Sequence, residues 1–135
     1  VSSNSVVSGI AAAWVVFAAA ALSAATPAHA AGALTVENPL QACIAVQPGL
    51  RDVEHGVALQ RITLDVRKPI GACGCKSAIL SYATHVVLDG GARSLLLQGR
   101  LNARDSGPRT LPLASDATLA GERPVVLSFD CVAPD

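Results

Sequence analysis

The stretch ALQRITLDVR, Ala58 to Arg67, sets Ile62, Leu64 and Val66 on one face and Arg61, Thr63, Asp65 and Arg67 on the other. Strict alternation marks a half-buried strand, because successive side chains on a pleated backbone point to opposite faces. Pro69 and Gly71 close the run. The chain therefore contains a sheet with one dry and one wet face, and the neighbouring stretches extend that pattern.

Downstream, Ser77 to Asp89 puts Leu80, Tyr82, Thr84, Val86 and Leu88 on one side and Ser81, His85 and Asp89 on the other. Its Thr84, Val86 and Val87 lose side-chain freedom in a helix and fit a pleated surface better. Asp89, Gly90 and Gly91 predict a hairpin turn into Arg93 to Asn102, where Leu95, Leu97 and Leu101 alternate with Leu96, Gln98 and Arg100. These two stretches are the best strand pair. Upstream, Leu34 to Val36 starts a first strand, interrupted at Asn38 and Pro39. Leu40 to Gln47 then alternates until Pro48 and Gly49 end it.

Ala103 to Pro124 is rich in turn residues, with short strands expected at Thr110 to Leu113 and near Thr118 and Leu119. Val125 to Val132 is the last strong element, with Val125, Leu127, Phe129 and Cys131 facing one way. Five to seven strands without a convincing helix predict an all-β fold. The expected form is a small disulfide-stabilised β-sandwich, immunoglobulin-like or similar, with a small barrel as the alternative.

The 135 residues carry four cysteines: Cys43, Cys73, Cys75 and Cys131. An even number in a short chain predicts two structural disulfides in an oxidising compartment, and four cysteines allow three connectivities. One would bridge Cys73 to Cys75 across Gly74 in a tight ring, leaving Cys43 and Cys131 to tie the ends of the domain together. The preferred arrangements send Cys73 and Cys75 to different distant partners.

No Lys, Arg, Asp or Glu occurs in the first 33 residues, and Val6 to Ala25 is almost wholly apolar. With the small-x-small triplet Ala28, His29 and Ala30, residues 1–30 read as a secretory signal peptide. The alternative is an N-terminal membrane anchor facing the periplasm, since about 20 apolar residues can span a bilayer. Residues 31–135 then form a single β-rich domain, placed in the periplasm or secreted, with no membrane attachment once the signal is cleaved.

Ten basic and ten acidic side chains cancel, so no long-range field draws in nucleic acid. Arg93, Arg100, Arg104 and Arg109 are interspersed with Asp89, Asp105 and Asp116, and base-stacking aromatics are scarce. No phosphate-cradling glycine loop of the usual pattern precedes Lys76 and Ser77. Ser81, His85 and Asp89 share a strand face, but residues four apart on a strand stand about 13 Å from one another, too far for a proton relay. No catalytic residue and no cofactor is assigned.

Two function classes remain. The first is an exported non-enzymatic envelope protein, a protein-binding or structural module whose partner is another envelope protein. The second is a soft-metal-binding or thiol-active protein that holds Cu(I) or Zn through Cys73 and Cys75, with His55 or His85 completing the ligand set. A hydrolase with an unrecognised site ranks third. Lys76 reads as an edge charge that discourages strand-to-strand association.

Overall fold

The computed structural model describes residues 32–133. Residues 1–30, and with them the signal-or-anchor expectation, lie outside the described residues. Seven strands follow one another: β1 (Leu34–Glu37), β2 (Ile44–Glu54), β3 (Val57–Val66), β4 (Ile79–Val87), β5 (Arg93–Asn102), β6 (Gly107–Ala114) and β7 (Val125–Cys131). They form a four-stranded sheet in the order β1-β7-β4-β5 and a three-stranded sheet in the order β2-β3-β6. The two sheets pack face to face as a disulfide-bonded β-sandwich, and no ladder among the described residues closes them into a barrel.

The stretch that decides the fold is the centre of the smaller sheet. Along β3, Ala58, Gln60, Ile62 and Leu64 are buried while Arg61, Thr63 and Asp65 are exposed. β4 has the same alternation at the centre of the larger sheet, burying Leu80, Tyr82, Thr84 and Val86. Ile44, Ile62, Leu64, Leu80, Leu111, Leu127 and Phe129 meet between the sheets. A smaller cluster of Ala58, Leu113 and Ala114, backed by Leu96 and Ala117, fills the far end. β7 enters between β4 and β1, antiparallel to the former and parallel to the latter. Its inner neighbours on both sides explain why Val125, Val126, Leu127 and Phe129 are all buried.

Two side chains of β4 tie the sheets together through polar contacts. The Thr84 hydroxyl is fully buried and donates to the Leu113 carbonyl at 2.5 Å. The Tyr82 hydroxyl donates to the Pro112 carbonyl at 3.4 Å. Both acceptors lie on β6, an edge strand whose outward carbonyls have no ladder partner. Buried carbonyls are costly when unpaired, so β4 supplies the donors that the open edge lacks.

The structure corrects several element boundaries. Leu40 to Cys43 forms a hydrogen-bonded turn, with Cys43 N and Ile44 N both donating to Leu40 O, so the strand starts at Ile44. Pro48 and Gly49 do not end it: β2 passes through a bulge between Pro48 and Arg51 and continues to Glu54. The buried Gln60 amide spans that bulge, donating to Gly49 O at 2.8 Å and Arg61 O at 2.9 Å. A second bulge, between Thr84 and His85 in the β4–β5 ladder, turns Leu95 out to solvent, against the simple alternation with Leu97 and Leu101. Thr118 and Leu119 lie not in a strand but in the one-turn helix α1 (Ala117–Ala120). Asp116 caps it by accepting from Thr118 N at 2.9 Å, a bond that offers the backbone a helical start.

Candidate functional site

All four cysteines are bonded. Cys43 pairs with Cys73 and Cys75 with Cys131, leaving no free thiol. Cys43 lies just before β2 in the smaller sheet, and Cys131 ends β7 in the larger one. The connector between β3 and β4 is thus tied to both sheets. Its local folding follows from Pro69, Gly71 and Gly74. A 3-10 turn runs from Ile70 to Cys73 behind Pro69, and Gly74 adopts φ 95°, which favours glycine and lets Cys75 N reach back to Ile70 O at 3.2 Å. Ile70 is thereby driven into the core.

A groove of about 560 Å³ opens at this end of the sandwich. Its floor is apolar, formed by Val66, Pro69, Ile70, Ala78 and Ala103, and is closed by the Ala103 N to Ala78 O bond at 2.9 Å. Its rim carries Arg67, Lys68, Lys76 and Arg104 and no carboxylate. Asp65 approaches Arg67 at 3.4 Å, while Lys68, Lys76 and Arg104 have no ion-pair partner among the described residues. Lys76 therefore lies on a loop at a cationic rim, and the expectation that it is a strand-edge charge is corrected. Arg93, Arg100, Arg104 and Arg109 are dispersed, as their interspersed acids led one to expect. Arg93 pairs with Glu37 at 2.8 Å, Arg109 folds back onto Asp105 O at 3.0 Å, Arg104 joins the rim and Arg100 lies on the outer face of the larger sheet.

A second concavity, also about 560 Å³, runs over that outer face past Ser81, Ala83, Gln98, Arg100, Ser128 and Asp130. Its hydroxyls are committed to backbone. Ser81 lies 3.2 Å from Cys131 O, and Ser128 donates to Ala83 O at 3.3 Å. His85 stands further along β4, level with Val126 and Leu95, so Ser81 and His85 do not meet.

The four metal-candidate residues are not brought together. The sulfurs of Cys73 and Cys75 are bonded to Cys43 and Cys131 and carry no thiolate in this state. His55 sits with Gly56 in the turn from β2 to β3, both at positive φ (49° and 81°), as the twist of a two-residue hairpin loop requires. That makes His55 a turn residue, at the end of the sandwich away from the cysteines. Among the described residues no group of three His, Cys, Asp or Glu could hold a metal ion.

Sequence reasoning missed Arg51. The bulge in β2 places it opposite Gln60, on the inner side of an edge strand. Its Nε and both Nη atoms are enclosed without any hydrogen-bond partner among the described residues, and burial pushes its pKa below the ordinary guanidinium value. The neighbouring Leu50 and Val53 are exposed at 74% and 56%. The signal was present as Pro48 and Gly49, which mark a bulge as readily as a strand end.

A family model described as uncharacterized protein conserved in bacteria (DUF2195) matches residues 15–134. The chain belongs to this family. No curated protein and no solved structure matches it. Two disulfides fit an oxidising environment outside the cytoplasm, and no helix among the described residues is long and apolar enough to cross a membrane.

Proposed function

We propose that this DUF2195 protein is an exported, non-enzymatic binding module of the bacterial envelope, which holds a protein partner along the free edge of β2. The observation that carries this reading is the edge itself. Of the four edge strands, β1 is only 4 residues long, β6 is blunted by Pro108 and Pro112, which donate no backbone hydrogen bond, and β5 shows a single large apolar side chain, Leu95, to solvent. β2 is 11 residues long and shows Leu50 and Val53 to solvent. An added strand would satisfy its outward backbone groups and cover both side chains.

The leader and the disulfides support export to an oxidising compartment. Ser81 and Ser128 are engaged with backbone carbonyls and His85 stands apart from Ser81, so these side chains form no nucleophile-base pair. Soft-metal ligation through Cys73 and Cys75 would first require reduction of both bridges, and thiol chemistry reduction of at least one.

The test is a photo-crosslinking residue placed at Leu50 in the exporting host. The expected result is a discrete adduct with one envelope protein that disappears when Val53 is replaced by Lys. Absence of an adduct, or the same adduct from a crosslinker at Gln98 on the opposite sheet, overturns the proposal.

A further inference from the structure

Charge on this chain is sorted between the two ends of the sandwich. Three connections close the end away from the disulfides: the turn from β2 to β3, the turn from β4 to β5 and the loop that carries α1. Ala117 N donates to Gly56 O at 2.7 Å and Val87 N to Pro124 O at 2.9 Å, which gathers all three into one surface. Glu54, Asp89, Asp116 and Glu122 stand there with Arg123, while nearby Asp52 and Arg93 are paired to Arg61 and Glu37. At the disulfide end Arg67, Lys68, Lys76 and Arg104 rim the groove, beside Asp65 and Asp105. A chain of zero net charge is therefore a dipole along its strands, acidic at one end and basic at the other.

We infer that the protein associates with a second copy of itself head to tail, the acidic end of one copy seated on the basic end of the next. The contact uses the ends of the sandwich and leaves the β2 edge open. Carboxylates of Glu54 and Asp89 face Lys68, Lys76 and Arg104 across it, and the opposed potentials set its orientation. Leu119 is 50% exposed on α1 between Asp116 and Glu122, and Leu88 is 38% exposed beside Asp89. Apolar side chains flanked by acids match a concavity where Pro69 is exposed and Val66 and Ala78 are half-buried inside a basic rim.

A polyanion would answer the basic end alone, and a basic protein the acidic end alone. A second copy answers both. The contact is heterologous, with different patches on its two sides, so it propagates beyond a pair into a ring or an open row of copies.

Sedimentation velocity of the oxidised protein, recovered from an exporting host, tests this over a range of concentrations. The two conditions are about 0.01 M and about 1 M ionic strength, where the Debye length is about 30 Å and about 3 Å. Association that grows with concentration at low ionic strength and is weaker by about tenfold or more at high ionic strength is expected. Two variants with wild-type net charge locate the contact. The half swap E54K/K68E mixes signs at both ends and should weaken association by about tenfold. The full swap E54K/D89K/K68E/K76E exchanges charges between the ends and should recover at least part of that loss. All four side chains are exposed, so both variants should keep the wild-type unfolding midpoint. A monomer at every concentration, association indifferent to ionic strength, or a full swap no better than the half swap overturns the inference. So does loss of association in L50K with both ends intact, which would assign self-contact to the β2 edge.

Discussion

Cys73 and Cys75 stand one residue apart and are bonded to opposite sheets. Cys73 joins Cys43 at the entry to β2, and Cys75 joins Cys131 at the end of β7. The bridges close separations of 30 and 56 residues, so each limits unfolded-state freedom by about 4 kcal/mol in the loop-closure view. Replacing Cys75 and Cys131 together by Ala is expected to lower unfolding free energy by about 2 to 4 kcal/mol. The Cys43 and Cys73 pair should cost a similar or slightly smaller amount. Urea unfolding of the two double variants, with and without reductant, measures both.

The ring of Tyr82 occupies the space where a Cβ on Gly99 would stand. Gly99 faces Tyr82 in the β4–β5 ladder, and its bare Cα lets the ring cross β5 and place its hydroxyl against Pro112 O on β6. Gly99→Ala is expected to destabilise the protein by about 1 to 3 kcal/mol through overpacking. Combining it with Tyr82→Leu should cost less than the sum of the two single changes, which a double-mutant cycle in urea reads directly.

Thr84 tests the polar tie between the sheets. Thr84→Val keeps the shape but leaves the buried Leu113 carbonyl without its donor, at an expected cost of about 1 to 3 kcal/mol. Thr84→Ser retains the hydroxyl and should recover part of that loss. Equal unfolding midpoints for Val and wild type would remove Thr84 from the list of contacts that hold the sheets together.

Two carboxyls set the acid limb of stability. The hydrogen bond from Arg93 holds Glu37 below the ordinary carboxylate value, and the bonds from the Thr118 hydroxyl and backbone do the same for Asp116. A pKa lower in the folded than in the unfolded chain means that the unfolded state binds protons first. The stability from each group is therefore complete above the ordinary carboxylate pKa and is lost as pH falls through the depressed folded value. Carboxyl NMR titration should place both groups below the ordinary carboxylate values, and Arg93→Gln should flatten the acid limb of the unfolding midpoint.

Arg51 carries a charge at a cost to stability. Arg51→Met removes an enclosed charge without a partner, so the protein is expected to unfold at higher urea. A variant that loses stability would show that the guanidinium is already satisfied in the free protein.

The sandwich was legible because its two central strands carry their instructions locally. β3 and β4 each alternate apolar and polar residues over most of their length, and Asp89, Gly90 and Gly91 join β4 to its neighbour β5 as a short turn. The less regular elements were misread for identifiable reasons. Pro48 and Gly49 signal a break, but the Gln60 amide satisfies the bulge and lets β2 continue. Thr118 and Leu119 suit a strand, but the Asp116 cap secures one helical turn. Leu95 points outward because one bulge shifts the parity of half of β5.

The sequence by itself determined the fold class and the use of four cysteines as bridges. Each follows from local periodicity or composition, where neighbouring residues decide the outcome. Only the tertiary structure decided which cysteines pair, where Lys68, Lys76 and Arg104 gather, and that Arg51 is enclosed. Those facts depend on contacts between residues far apart in the chain, which no local pattern records: the insertion of β7 between β1 and β4 brings Cys131 to Cys75, and the pairing of β4 with β5 brings Arg104 towards Lys76.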